Sequence, residues 1–241
     1  MSPAPHDMSA TPHETAPRRE GVPQQPDAGP ETPGTLPPTP SQTIGPFFGH
    51  ALPFPGGGEM APTGHPDTIT LYGRVLDGAG EPVPDALLEF WQAGPDGGLR
   101  GAPGSLRRDA ATGAVVGRDG VDFTGFGRVP TGADGRYVLR TLPPTAPAGR
   151  PDAAPYIAVC VFARGLLHHL FTRVYFPGDA AAHAADPLLS RLPAHRARTL
   201  VARADGERRY RFDIRLQAAA EGEGAVAGDG TGEETVFLEF R

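Results

Sequence analysis

The chain has no lysine: all 22 of its basic residues are arginine. That uniformity reads first as a nucleotide-composition bias and only weakly as selection for bidentate pairing. Cysteine is almost as scarce. With one thiol no disulfide can form within the chain, and Cys160 sits in the apolar run Ile157-Ala158-Val159-Cys160-Val161-Phe162, where it reads as a small core residue. No apolar stretch approaches the roughly 18 residues that would span a bilayer. The opening Met1-Ser2-Pro3-Ala4-Pro5-His6-Asp7 lacks a basic region followed by an apolar one, so no membrane partner and a soluble, cytoplasmic protein are expected. Basic charge is not concentrated either. A net charge of −6 with interspersed signs offers no stripe for a phosphate backbone, which argues against nucleic acid.

What is abundant is punctuation. There are 33 Gly and 29 Pro among 241 residues, too many for long helices, while 39% hydrophobic content suffices for one substantial core. The expected class is all-β, a single-domain β-sandwich with long loops. Residues 1–40 are Pro, Ala, Thr, Glu and Gln with almost no bulky hydrophobe; they cannot offset their ordering entropy and are expected to form a disordered extension. The folded domain is expected over 41–241. Period-two alternation predicts a strand in which Ile69, Leu71, Gly73 and Val75 face the dry side. Turn dipeptides separate further strands at Leu87 to Trp91, Arg136 to Arg140, Tyr156 to Ala163, Leu170 to Phe176, Thr199 to Arg203, Tyr210 to Leu216 and Thr235 to Phe240. Asp179 to Asp186 suits a short helix, and Ala218 to Gly232 a surface loop. Tyr72, Tyr137, Tyr175 and Tyr210 read as amphipathic residues at the core edge.

Metal ligation by histidine finds little support. His168 and His169 are sequence neighbours, which on a strand would point to opposite faces; His6 and His13 fall in the extension, His50 and His65 in loops, and His183 and His195 in a region read as having no nearby carboxylate or second His at ligand spacing.

Seven segments in order are specific in combination. They are Pro40-Ser41-Gln42-Thr43-Ile44-Gly45-Pro46-Phe47-Phe48; Gly73 to Asp77; Leu88-Glu89-Phe90-Trp91-Gln92-Ala93; Phe123 to Arg128; Phe162-Ala163-Arg164-Gly165-Leu166-Leu167; Leu170 to Phe176; and Tyr210 to Gln217. Together they resemble the intradiol ring-cleavage dioxygenases, and within that family the chains that do not hold the metal. Catalytic members carry a Tyr about eight residues beyond the Trp, a Tyr in a Pro-rich turn and two His at i, i+2 on the next strand, a set that suits ferric iron and leaves room for a catecholate. The matching positions are Leu99, Pro147 or a close neighbour, Tyr156 and Ala158. Leu, Pro and Ala offer iron no side-chain lone pair, so the resemblance implies Fe(III) bound by a catalytic beta subunit as partner and not by this chain. It also implies protocatechuate and O2 as substrates. Four wall residues carry over as substrate-binding: Thr43, Gly45, Pro46 and Arg164. Arg164 would meet the substrate carboxylate, Gly45-Pro46 would bring backbone close to the ring, and the Thr43 hydroxyl would bond substrate or water. Arg128 and Arg173 read as structural ion pairs. Two other readings stay open at this point: a self-sufficient dioxygenase, and a β-sandwich binding or scaffold module with no share in an active site.

Overall fold

The computed structural model describes residues 45, 48–99, 106–219 and 232–239. Among them lie eleven strands: β1 (Ile69–Leu76), β2 (Leu87–Gln92), β3 (Leu106–Arg108), β4 (Val115–Arg118), β5 (Phe126–Pro130), β6 (Arg136–Thr141), β7 (Tyr156–Phe162), β8 (Leu170–Tyr175), β9 (Arg203–Ala204), β10 (Arg209–Arg211) and β11 (Ile214–Arg215). Three short helices join them: α1 (Phe48–Ala51), α2 (Ala180–Ala185) and α3 (Ala194–Arg198). The boundary expected between residues 40 and 41, and the loop from Ala220 to Thr231, fall outside the described residues.

β1 is the centre of the first sheet. β6 pairs with it antiparallel on one side, while β10 and β11 run parallel on the other, with β9 beyond β10. The alternation expected of β1 holds, because Ile69, Leu71, Gly73 and Val75 are all buried. The single strand expected over Tyr210 to Leu216 is instead two. Asp213 supplies a carboxylate oxygen to the Arg74 N–H at 3.0 Å, which satisfies a donor that a continuous ladder would have used. Gly73 makes room for the break: a Cβ there would fall 1.8 Å from the Phe212 carbonyl oxygen, which instead accepts the Tyr137 hydroxyl at 2.6 Å.

The second sheet has the order β5-β2-β7-β8 and is antiparallel throughout. Leu88, Phe90, Ile157, Val159, Val161 and Val174 turn inward to meet Leu71, Val75, Tyr137, Leu139 and Ile214 of the first sheet. Each such side chain contributes about 1.5–3 kcal/mol by leaving water. The fold is therefore the expected all-β sandwich.

Two expected strands are corrected. Thr199 to Arg203 begins as the end of α3, where the Thr199 hydroxyl donates to the Arg196 carbonyl at 2.8 Å, and only Arg203 reaches β9. The segment from Thr235 crosses between sheets: its first amide donates to Arg215 of one sheet, and that of Leu238 to Phe171 of the other, so it can extend neither regularly. Sequence patterning also misses the β3–β4 hairpin, whose residues show no apolar alternation. Tyr137 and Tyr175 lie deep in the core and not at its edge. The helix suited to the Ala-rich stretch is α2, capped by Asp179, which accepts the Ala182 N–H at 2.8 Å. No helix among the described residues is long and apolar enough to cross a membrane.

Cys160 is buried on β7, and burial together with the charge of Glu89 pushes its thiol up to about 12. The thiolate is thus disfavoured in the folded chain, and the associated stability is complete below pH 9 and lost as pH rises toward 12. Native protein at pH 8 should react with a maleimide at least about tenfold more slowly than urea-unfolded protein, as followed by mass spectrometry. Equal rates would contradict this placement.

Candidate functional site

Residues of the second sheet that alternate with the core set face outward, and this outer face carries Tyr156 and Ala158. Along β7 they are Tyr156, Ala158, Cys160 and Phe162; across from them stand Glu89 and Trp91 on β2, Arg128 and Phe126 on β5, and Phe171, Arg173 and Tyr175 on β8.

The four positions matched to metal ligands gather at one end of this face. β2 leaves the sheet where β7 enters it, since Gln92 pairs with Ile157, so the loops holding Leu99 and Pro147 emerge together. They are tied by the Ala148 N–H to the Gly97 carbonyl at 2.9 Å and by the Thr145 hydroxyl to the Gly94 carbonyl at 2.6 Å. Leu99 is 69% exposed and Pro147 is buried. Ala158 pairs with Arg173, whose guanidinium lies over the Tyr156 ring at 4.2 Å. Arg173 Nη1 also donates to the Tyr175 hydroxyl at 3.2 Å, and Tyr175 donates in turn to Asp186 at 3.1 Å. Asp186 is fully buried and accepts the N–H groups of Ala154, Leu188 and Leu189 as well. Burial pushes the Tyr175 phenol up to about 12, so it keeps the proton it gives to Asp186. Arg173 is therefore not the ion pair expected. Its cross-strand neighbour is an alanine and the nearest acid is already satisfied by amides, which leaves aromatic partners for the cation.

This donor set does not fit ferric iron. A fixed guanidinium stands among the inherited positions, repelling a second cation, and the remaining side chains are one phenol, an alanine, a leucine and a proline. Among the described residues no group of three or more His, Cys, Asp or Glu is placed to hold a metal. His168 and His169 lie in a turn and not on a strand. The His169 ring packs between Phe162 and Phe171, with centroids at 5.5 and 4.7 Å.

Of the four wall residues, Arg164 lies at the other end. Arg164 follows β7 in the turn Ala163-Arg164-Gly165-Leu166, closed by the Leu166 N–H to the Ala163 carbonyl at 3.2 Å, with Gly165 at φ +89°. Arg164 is 81% exposed on its side chain and forms an ion pair with Asp85, the residue that precedes β2 by two. Gly45 adopts φ +81°, a conformation that favours glycine, and a Cβ there would meet nothing within 4 Å. Thr43 and Pro46 fall outside the described residues. The segment after Gly45 is held on this same end of the outer face. Arg128 donates to the Leu52 carbonyl at 3.1 Å while gripping Glu89 at 2.8 and 2.5 Å, which is the ion pair expected of it.

The two ends are far apart. Tyr156 and Phe162 bound β7, so at about 3.3 Å per residue they stand about 20 Å apart, and Arg164 lies beyond Phe162. No single small substrate can touch both ends. Sequence reasoning passes over Asp85, although the β2–β7 register locates it: Leu87 pairs with Phe162, which continues to Asp85 opposite Arg164.

A family model described as Dioxygenase matches residues 45–218. The chain is 43% identical to the protocatechuate 3,4-dioxygenase alpha chain of Burkholderia cepacia over 198 residues, covering 76% of this chain and 93% of that one. It is 36% identical to the corresponding alpha chain of Pseudomonas putida over 220 residues, covering 83% and 96%. Similarity extends to the Burkholderia cepacia beta chain, at 35% identity over 141 residues, 57% of this chain and 56% of that one. The family so matched is in general iron-dependent.

The two arginines should separate in a urea-unfolding experiment. Arg173→Ala forfeits the Tyr156 stack and the Tyr175 bond and should lower stability by about 1–2 kcal/mol, whereas Arg164→Ala should change it by less than about 0.5 kcal/mol. A larger loss at Arg164 than at Arg173 would reverse the roles given to the two ends.

Proposed function

Since this chain belongs to the intradiol dioxygenase family, we propose that it acts as the alpha chain of a protocatechuate 3,4-dioxygenase, paired with a catalytic beta chain that holds the Fe(III). The observation that carries this reading is the separation of about 20 Å along β7 between the inherited ligand positions and the end that holds Arg164. An arginine so placed reaches substrate only at a site on a second chain. A homologous partner supplies the geometry, because an approximately two-fold contact sets each chain's wall end against the other's ligand end. The likeness to a beta chain supports a partner of the same fold. A shared site also requires a large, permanent interface, and stability of the pair is this chain's first contribution.

The reaction inserts both atoms of O2 between the two hydroxyl-bearing carbons of protocatechuate and gives beta-carboxy-cis,cis-muconate. Iron held by the beta chain would supply Lewis acidity, and no residue of this chain is assigned to hold it. This chain's residues bind, orient and desolvate. Arg164 meets the substrate carboxylate, which is anionic at neutral pH, and raises its local concentration. Gly45 and Pro46 bring backbone against the ring, and the left-handed φ of Gly45 is a reason for glycine there. Thr43 offers a hydroxyl to the substrate or a bridging water. The reading places the pair in the cytoplasm, where a reducing environment suits an unpaired cysteine, and treats residues 1–40 as a disordered extension on their composition.

The test is to express the chain alone and with its beta chain, and to measure iron and visible absorbance. Alone it should be colourless and iron-free; the pair should show a red-brown tyrosinate-to-iron band and cleave protocatechuate. In the pair, Arg164→Ala should lower kcat/KM for protocatechuate about tenfold more than for catechol, which lacks the carboxylate. Iron and ring cleavage by the lone chain would establish a self-sufficient enzyme. Failure to associate with any catalytic chain would favour a scaffold module.

A further inference from the structure

The ion pair of Arg164 is with a residue that stands on a fixed platform. Asp85 occupies the turn Val83-Pro84-Asp85-Ala86, and Thr131 fastens both ends of it: the hydroxyl lies 3.0 Å from the Val83 carbonyl and 3.3 Å from that of Ala86, and the Thr131 N–H donates to Ala86 at 2.8 Å. Thr131 is itself buried. Asp85 has φ +57°, one of two described non-glycine residues in the left-handed region. Glycine would adopt that backbone at less cost, and the carboxylate that stands there instead is engaged by Arg164. Its partner Arg164 sits on a second tight turn, and the carboxylate is what joins the two turns.

Asp85 also touches the N-terminal segment. A Cβ on Gly49 would fall 3.6 Å from the Asp85 carbonyl oxygen and 3.7 Å from its Cβ, so the α1 backbone lies directly on Asp85, four residues from Gly45. Three stretches distant in sequence, the one containing Gly45, the turn at Asp85 and the turn at Arg164, thus meet at one residue. Such an exposed pair does little for folding. Its physical effect is to take rotamer freedom from a long, otherwise solvent-facing arginine before any substrate arrives.

We propose that Asp85 is a positioning residue: it holds the Arg164 guanidinium in the orientation that receives the substrate carboxylate. Only one terminal nitrogen of Arg164 is engaged by Asp85, which leaves Nε and Nη1 to form the carboxylate contact. Asp85 itself touches no substrate. This inference rests on the assignment of Arg164 to the partner's site.

The experiment uses the reconstituted pair with the beta chain and compares protocatechuate with catechol. Asp85→Gly removes the carboxylate and also relieves the left-handed backbone, so any loss it causes is not strain. It should raise KM for protocatechuate about fivefold, leave kcat within about twofold, and leave both constants for catechol unchanged. Asp85→Asn keeps an acceptor oxygen in a residue tolerant of this backbone and should show a smaller rise. In an Arg164→Ala background neither substitution should change KM further. If Arg164→Ala is costly and specific to protocatechuate but Asp85→Gly is silent, or its effect persists in the Arg164→Ala background, the positioning role is wrong while the site assignment stands. If Arg164→Ala leaves the protocatechuate-to-catechol ratio unchanged, the assignment itself fails. A fall in KM with Asp85→Asn would make Asp85 a screen of the arginine's charge and overturn the proposal.

Discussion

A β-strand is a ruler, and β7 uses its length to keep two kinds of chemistry apart. Tyr156 and Ala158 mark one end of its outward edge, Phe162 and the Arg164 turn the other. Because the strand is hydrogen-bonded on both sides, to β2 and to β8, it cannot fold back to bring its ends together. On the function proposed here, residues at the far end serve a centre that a second chain brings to them.

The two ends also differ in how they are built. Around Tyr156 the chain has closed over itself: a cation rests on an aromatic ring, a phenol donates to a carboxylate, and that carboxylate gathers three backbone amides. These contacts are all made within the chain, and the positive charge belongs to arginine. Around Arg164 the opposite holds. The guanidinium is mostly exposed, Gly45 has open space where a side chain would project, and the local turns are braced from behind by Thr131 and Arg128. One end has been made self-sufficient and the other has been left ready for a surface to arrive. Trp91, half exposed and tilted against Phe126 at 4.5 Å, stands across from Ala158 at the first of these ends.

Much of this was legible from residue order alone, where the physics is local. The alternation from Ile69 to Val75, the apolar run from Ile157 to Val161 and the Asp-capped alanines from 180 to 185 each carry their own structural signal. What the pattern could not express was the exchange of partners over distance. The break between β10 and β11 depends on a carboxylate reaching Arg74, 139 positions away, and the loss of a strand after Thr235 depends on one segment being shared by two sheets. The same limit applied at the site. Motif matching found Arg164, whose neighbours in sequence are distinctive, and passed over Asp85, whose only distinction is to stand opposite Arg164 in a register that must be known first. An ion pair is the ordinary expectation for Arg173; its aromatic partners depend on the β7–β8 register, which brings Tyr156 and Tyr175 together with ring centroids 5.8 Å apart.

The account stands or falls on where the metal lies relative to this strand. Anomalous scattering at the iron edge from crystals of the chain with its beta partner would place the ion directly against the coordinates of β7. The peak should fall beyond the Phe162 end, close to the Arg164–Asp85 pair and ligated by the partner chain. A peak at the Tyr156 and Ala158 end, with ligands from this chain, would contradict the assignment of its two ends.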